Sequence, residues 1–143
     1  MIDHIFHNKE LLSIIIRSNY EQNGIKFFTP NDFSQQLGYM KREKGYVIDP
    51  HIHRPVHREV HFTKEVLFIK TGKVRVDFYD DLQNYLESRI LLKGDVILLA
   101  KGGHGFTMLD KSEIIEVKQG PYLGDEDKSR FKSLADNKIK IIK

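Results

Sequence analysis

The sequence predicts an all-β fold. Short apolar runs, many of them β-branched, recur with turn signals about every eight to twelve residues. Glycine, proline and Asp/Asn clusters separate those runs. One of them, Val74 to Tyr79, alternates at period two, with Val74, Val76 and Phe78 on one face and Arg75, Asp77 and Tyr79 on the other.

At 143 residues the chain suits a single hydrophobic core. Leu11 to Arg17 is short, apolar and β-branched and reads as a strand. It either closes its own sheet or pairs across a two-fold axis. Gly24 and Pro30 punctuate the next stretch, and Asn31 to Gln36 has room for one helical turn. Gly38 to Lys41 and Tyr46 to Ile48 read as two strands parted by the polar turn Arg42 to Gly45. Glu65 to Ile69 follows, and Gly72 with Lys73 turns it into the alternating segment. Asp80, Asp81 and Asn84 form the next turn, and Tyr85 to Leu91 is the returning strand.

Gly94 and Asp95 break that strand before Val96 to Leu99, a continuous apolar run that fits burial on both faces. Asp95 reads as a turn residue, and Gly102, Gly103 and Gly105 read as turn glycines with positive φ. Ile114 to Lys118 is the last clear strand, closed by Gly120 and Pro121. Residues 1–37 are then strands and connections packed on a barrel over 38–120. A tail over 121–143 follows, with a short helix expected between Asp125 and Ala135.

Composition narrows the function classes. The absence of cysteine excludes disulfides and thiolate metal sites and suits a reducing cytoplasm. No apolar run approaches the roughly eighteen residues needed to span a bilayer, and the first residues lack the basic and apolar regions of a signal peptide. A cytoplasmic protein with no membrane partner is expected. The net charge is only +3. Much of the excess lies in Lys128, Arg130, Lys132, Lys138, Lys140 and Lys143, which read as a solvated, frayed terminus. No basic stripe with interleaved aromatics points to nucleic acid.

Four of the seven histidines fall between residues 51 and 61: His51, His53, His57 and His61. Neutral imidazole is the commonest protein metal ligand. Two residues apart on a strand, His51 and His53 would present both rings on one face. Further ligands must come from elsewhere in the chain, and Glu65 and His104 are the candidates.

These residues carry a resemblance. Gly45, His51 and His53, followed by Glu65 and Gly72, resemble the first motif of the cupin superfamily. Gly94-Asp95 through Gly102 to His104 resembles the second. The likeness covers roughly residues 38 to 118 and implies a double-stranded β-helix, or jelly-roll, barrel. It also implies one divalent metal ion (iron, manganese, nickel or zinc) on His51, His53, Glu65 and His104. The chain departs from the pattern in two places. Residues 54–64 make a far longer spacer before Glu65 than the motif has, and Ala100 stands where the second motif has proline. The long spacer also permits a second register, in which Glu59 and His61 stand where the paired histidines would be. In the first register residues 54–64 are an insertion at the barrel mouth, and His57, Glu59 and His61 become acid/base candidates beside the metal.

Three histidines and a glutamate leave open positions on the ion for an anionic or polyhydroxylated small molecule. The leading expectation is a metal-dependent isomerase or epimerase acting on a sugar or sugar phosphate. An iron dioxygenase would use the same ligands, and a non-catalytic sugar- or metal-binding module is the third reading. Small cupins are frequently dimers, so a homodimer is expected.

Overall fold

The computed structural model describes residues 1–143. Its ten strands are β1 (Ile2–His7), β2 (Glu10–Ile16), β3 (Gly24–Phe27), β4 (Gly38–Lys41), β5 (Glu65–Thr71), β6 (Lys73–Tyr79), β7 (Tyr85–Leu92), β8 (Val96–Leu99), β9 (Gly103–Met108) and β10 (Glu113–Lys118). The only helical element is a single 3-10 turn, Asp136–Lys138. All pairing between strands is antiparallel. One sheet has the order β1-β2-β8-β5-β10, a second has β7-β6-β9, and β3 pairs with β4 alone.

The two larger sheets face each other because each has one continuous apolar face. Leu67 and Ile69 of β5, Ile97 and Leu99 of β8 and Ile15 of β2 meet Val74, Val76 and Phe78 of β6 and Leu91 of β7 in one buried cluster. Fully burying each such side chain contributes on the order of 1.5–3 kcal/mol. The glycine between β5 and β6 is required by geometry. Gly72 has φ +89°, and a Cβ there would collide with Ser112 and the Lys111 carbonyl.

The all-β expectation holds, but the sheets do not close into a barrel. Both β9 and β10 are paired on one side only, so the sandwich is open along these two strands. The strand expected at Tyr46 to Ile48 is absent. From Arg42 to Thr63 every residue is exposed, and none belongs to a strand. Asn31 to Gln36 makes turns without a helix. The apolar segment of β2 lies between β1 and β8 of its own chain, so it is not a free edge awaiting a partner.

The tail also differs from expectation. No helix forms between Asp125 and Ala135; Gly124–Asp127 is a turn, and extended chain follows. Nor is the terminus frayed, because buried polar groups on the second sheet need partners. Arg75 and Asp77 are buried on the face of β6 away from the core, and Arg75 bonds both Asp77 and Asp136. Ser88 takes its backbone hydrogen bonds from the tail, donating to Lys140 O and accepting from Ile142 N–H, each at 2.9 Å. Phe131 packs edge-on against Tyr79, with ring centroids 5.0 Å apart. The polar face of β6 is thus covered by residues 131–142.

Candidate functional site

Strand alternation places two titratable side chains opposite each other at the open end of the sandwich. Glu65 pairs with Lys118 across β5 and β10, on the same face as the core residues Leu67 and Ile69. His104 follows Gly103 on β9 and shares a face with Phe106, which packs on the core. Across the gap His104 Nε2 lies 3.1 Å from Glu65 Oε2. The other carboxylate oxygen, Oε1, is 3.4 Å from the Lys118 ammonium, which also lies 3.7 Å from Asp127 Oδ2.

The hydrogen bond from His104 holds the Glu65 carboxyl below the usual carboxylate range. Burial opposes this, and the positive charges of His104 and Lys118 reinforce it. Glu65 is therefore ionised at neutral pH, with one oxygen turned to an imidazole and the other to an ammonium.

The pair opens into a cavity of about 770 Å³. Phe62, Tyr79, Phe106 and Phe131 give it aromatic walls, and Thr63, Ser129 and Ser133 bring hydroxyls. Its carboxylates, Glu65, Asp81, Glu116 and Asp127, are balanced by Lys101, Lys128 and Arg130 together with Lys118. Several of these cations are already paired: Lys101 with Glu10, Arg130 with Asp125. The cavity thus combines aromatic walls, hydroxyls and near-balanced charge.

The residues singled out in the sequence divide into two groups. Glu65 and His104 meet. His51 and His53 do not join them: they lie in the exposed 42–63 stretch, with rings 5.2 Å apart and nearly perpendicular. His51 Nδ1 bonds the Asp49 carbonyl instead. His57 and Glu59 are exposed, and Glu59 Oε2 lies 3.6 Å from His61 Nε2. His61 alone of that histidine cluster borders the cavity. No three His, Asp or Glu side chains converge in a metal-binding arrangement. As folded, the donors do not fit a divalent metal, since two of the four stand apart and an ammonium occupies one side of the carboxylate.

Three contributors escaped the sequence reading. Lys118 was legible in principle, since it shares the inward parity of Ile114 and Glu116. Asp127 and Phe131 were not, because they arrive from a tail whose packing depends on β6 and β9. Compared with known proteins, the chain matches no family model, no curated protein and no solved structure.

Proposed function

We propose that the chain binds a polyhydroxylated, sugar-like small molecule in the 770 Å³ cavity and catalyses proton transfer on it, as an isomerase or epimerase does. The observation that carries this reading is the 3.1 Å contact between Glu65 and His104, both in the cavity's lining. A carboxylate that fixes an imidazole in orientation and charge is the arrangement general acid–base catalysis needs. In this scheme the His104 imidazole takes the proton from the carbon beside a substrate carbonyl. The electron pair moves onto the carbonyl oxygen as an enediol forms, and reprotonation at the neighbouring carbon, or on the opposite face, gives the product. Glu65 stays ionised and holds the imidazolium between the two transfers, while Lys118 keeps the carboxylate in place.

The test is solvent deuterium incorporation, read by NMR, across a panel of aldoses, ketoses and their phosphates. At least one member should exchange, and Glu65→Gln and His104→Gln should each slow that exchange by about 10²-fold or more. Exchange that both variants leave untouched would refute the assignment.

A second reading keeps the cupin-type metal on His51, His53, Glu65 and His104. The close pair of rings at residues 51 and 53 favours it. It requires the 42–63 stretch to move toward Glu65 and His104. Elemental analysis of the purified protein should then find about one equivalent of metal that His51→Ala with His53→Ala removes. Metal retained in that double variant would exclude this ligand set.

A further inference from the structure

The stretch from Tyr46 to Thr63 has the pattern of a strand and the surroundings of none. Apart from Val47, the aliphatic residues and Phe62 fall on even positions, at Ile48, Ile52, Val56, Val60 and Phe62, with Arg54 and Arg58 among them; all five apolar side chains are exposed, Ile52 at 91%. His51, His53, His57, Glu59 and His61 fall on odd positions. Period-two alternation is the signature of a half-buried strand. Yet from Val47 to Thr63 no backbone group bonds another backbone group.

The sheet offers a matching vacancy. The outer side of β10 is an unpaired edge, and the face of the sheet away from the core exposes Phe68, Ile115 and Val117 beside it. Ile115 is opposite Phe68, and Val117 is opposite Val66, so these side chains form one apolar patch. An exposed apolar edge of this kind is a template for another strand.

We propose that Val56–Phe62 adds to the free edge of β10 within the same chain, extending the five-stranded sheet by one strand. Pro50 and Pro55 lack the N–H that a ladder needs, so the proline-free run after Pro55 is the part that can pair. It is long enough for the six residues of β10. Parity then settles the faces. With Val56, Val60 and Phe62 on the apolar patch and Arg58 beside them, Phe62 leaves the cavity wall it lines in the unpaired arm, while His57, Glu59 and His61 lie on the inner side with Glu65, Glu116 and Lys118.

The occupant is this chain's own arm because the arm is tethered there. The Lys64 carbonyl accepts from Gln119 N–H at 2.9 Å, immediately beyond the end of β10, and Thr63 Oγ1 donates to Asp127 at 3.1 Å. Tethering at such short range gives an effective concentration in the millimolar range, which a second copy reaches only in concentrated solution. The inference concerns the strand and not the chemistry at Glu65 and His104, so either can fail without the other.

The absence of cysteine makes the test clean. Hydrogen exchange on the full chain should show the amides of 57–62 slowed about 100-fold or more relative to an unstructured peptide. A nitroxide on Arg58→Cys should broaden the Glu113–Lys118 amides of its own chain. It should leave those of an unlabelled, isotopically marked chain in the same sample sharp. Exchange of 57–62 at the free-peptide rate, or broadening seen only between chains, would overturn the proposal.

Discussion

Asp95 offers the sharpest test of how the scaffold beneath the cavity is held. Its carboxylate is buried and accepts three hydrogen bonds: from Ser18 N–H at 2.8 Å, Leu92 N–H at 3.0 Å and Arg17 Nη1 at 3.0 Å. Replacing it by alanine leaves two amides without their acceptor. At about 1.5 kcal/mol for each bond to a charged group, that loss is about 3 kcal/mol. The ion pair adds only about 1 kcal/mol, because Arg17 keeps Asp3 and the Ile90 carbonyl as partners. Asp95→Ala should therefore cost about 4 kcal/mol, and Asp95→Asn, which retains one acceptor oxygen, roughly half of that. For a chain of this length the full loss lowers Tm by about 12 °C. Urea unfolding at constant m-value is the assay, with Arg17→Met and the double variant completing a cycle whose coupling should be near 1 kcal/mol. A cost below about 1 kcal/mol for Asp95→Ala would mean that water replaces the carboxylate and that it does not anchor the β7–β8 turn.

Two further perturbations follow from named geometry. Gly72→Ala forces a left-handed backbone on alanine and a clash with Ser112 and Lys111; unfolding should register a loss of at least about 1–2 kcal/mol, and a neutral result would show that the turn rearranges freely. Glu65 has its folded-state pKa depressed, foremost by His104, so its contribution to stability is full above the unfolded carboxylate value near roughly 4.3. It fades as pH falls through the lower folded value. Glu65→Gln should accordingly flatten the acid side of a stability-versus-pH curve, and an unchanged acid limb would separate the carboxylate from His104.

Much of this fold could be read from residue order, and the failures share a cause. β2, β5, β6, β7, β8 and β10 fall within a residue or two of their expected places, because each is a β-branched or alternating run between turn residues. β9 was hidden because Gly103 and Gly105 look like turn glycines. Of Gly102, Gly103 and Gly105 only Gly102 has positive φ, and Gly103 is a strand glycine onto whose position the Phe131 ring packs closely. β1 and β3 were not anticipated either, and both lie at sheet margins where little apolar surface is buried. At the site, Glu65 and His104 were identified and do meet. His51 and His53 were placed by strand spacing and by the resemblance to the cupin motif, and neither carries information about whether a segment reaches its neighbours. The alternation put Arg75 and Asp77 on one face of β6 but not their burial, because their cover comes from residues some sixty positions later, such as Asp136.

The pairing of β2 with β8 joins Ser13 to Leu99, and Ile14 to Leu98, across most of the chain's length. Such a ladder cannot begin to form until a very large loop has closed, and closure entropy must be met before any contact rewards it. High contact order of this kind places the refolding of such sheets in the millisecond-to-second range. Throughout that interval β8 stands without its neighbour on one side, its aliphatic residues open to other chains. Dilute, cool conditions should therefore favour recovery from denaturant, since self-association rises with concentration while ladder closure does not.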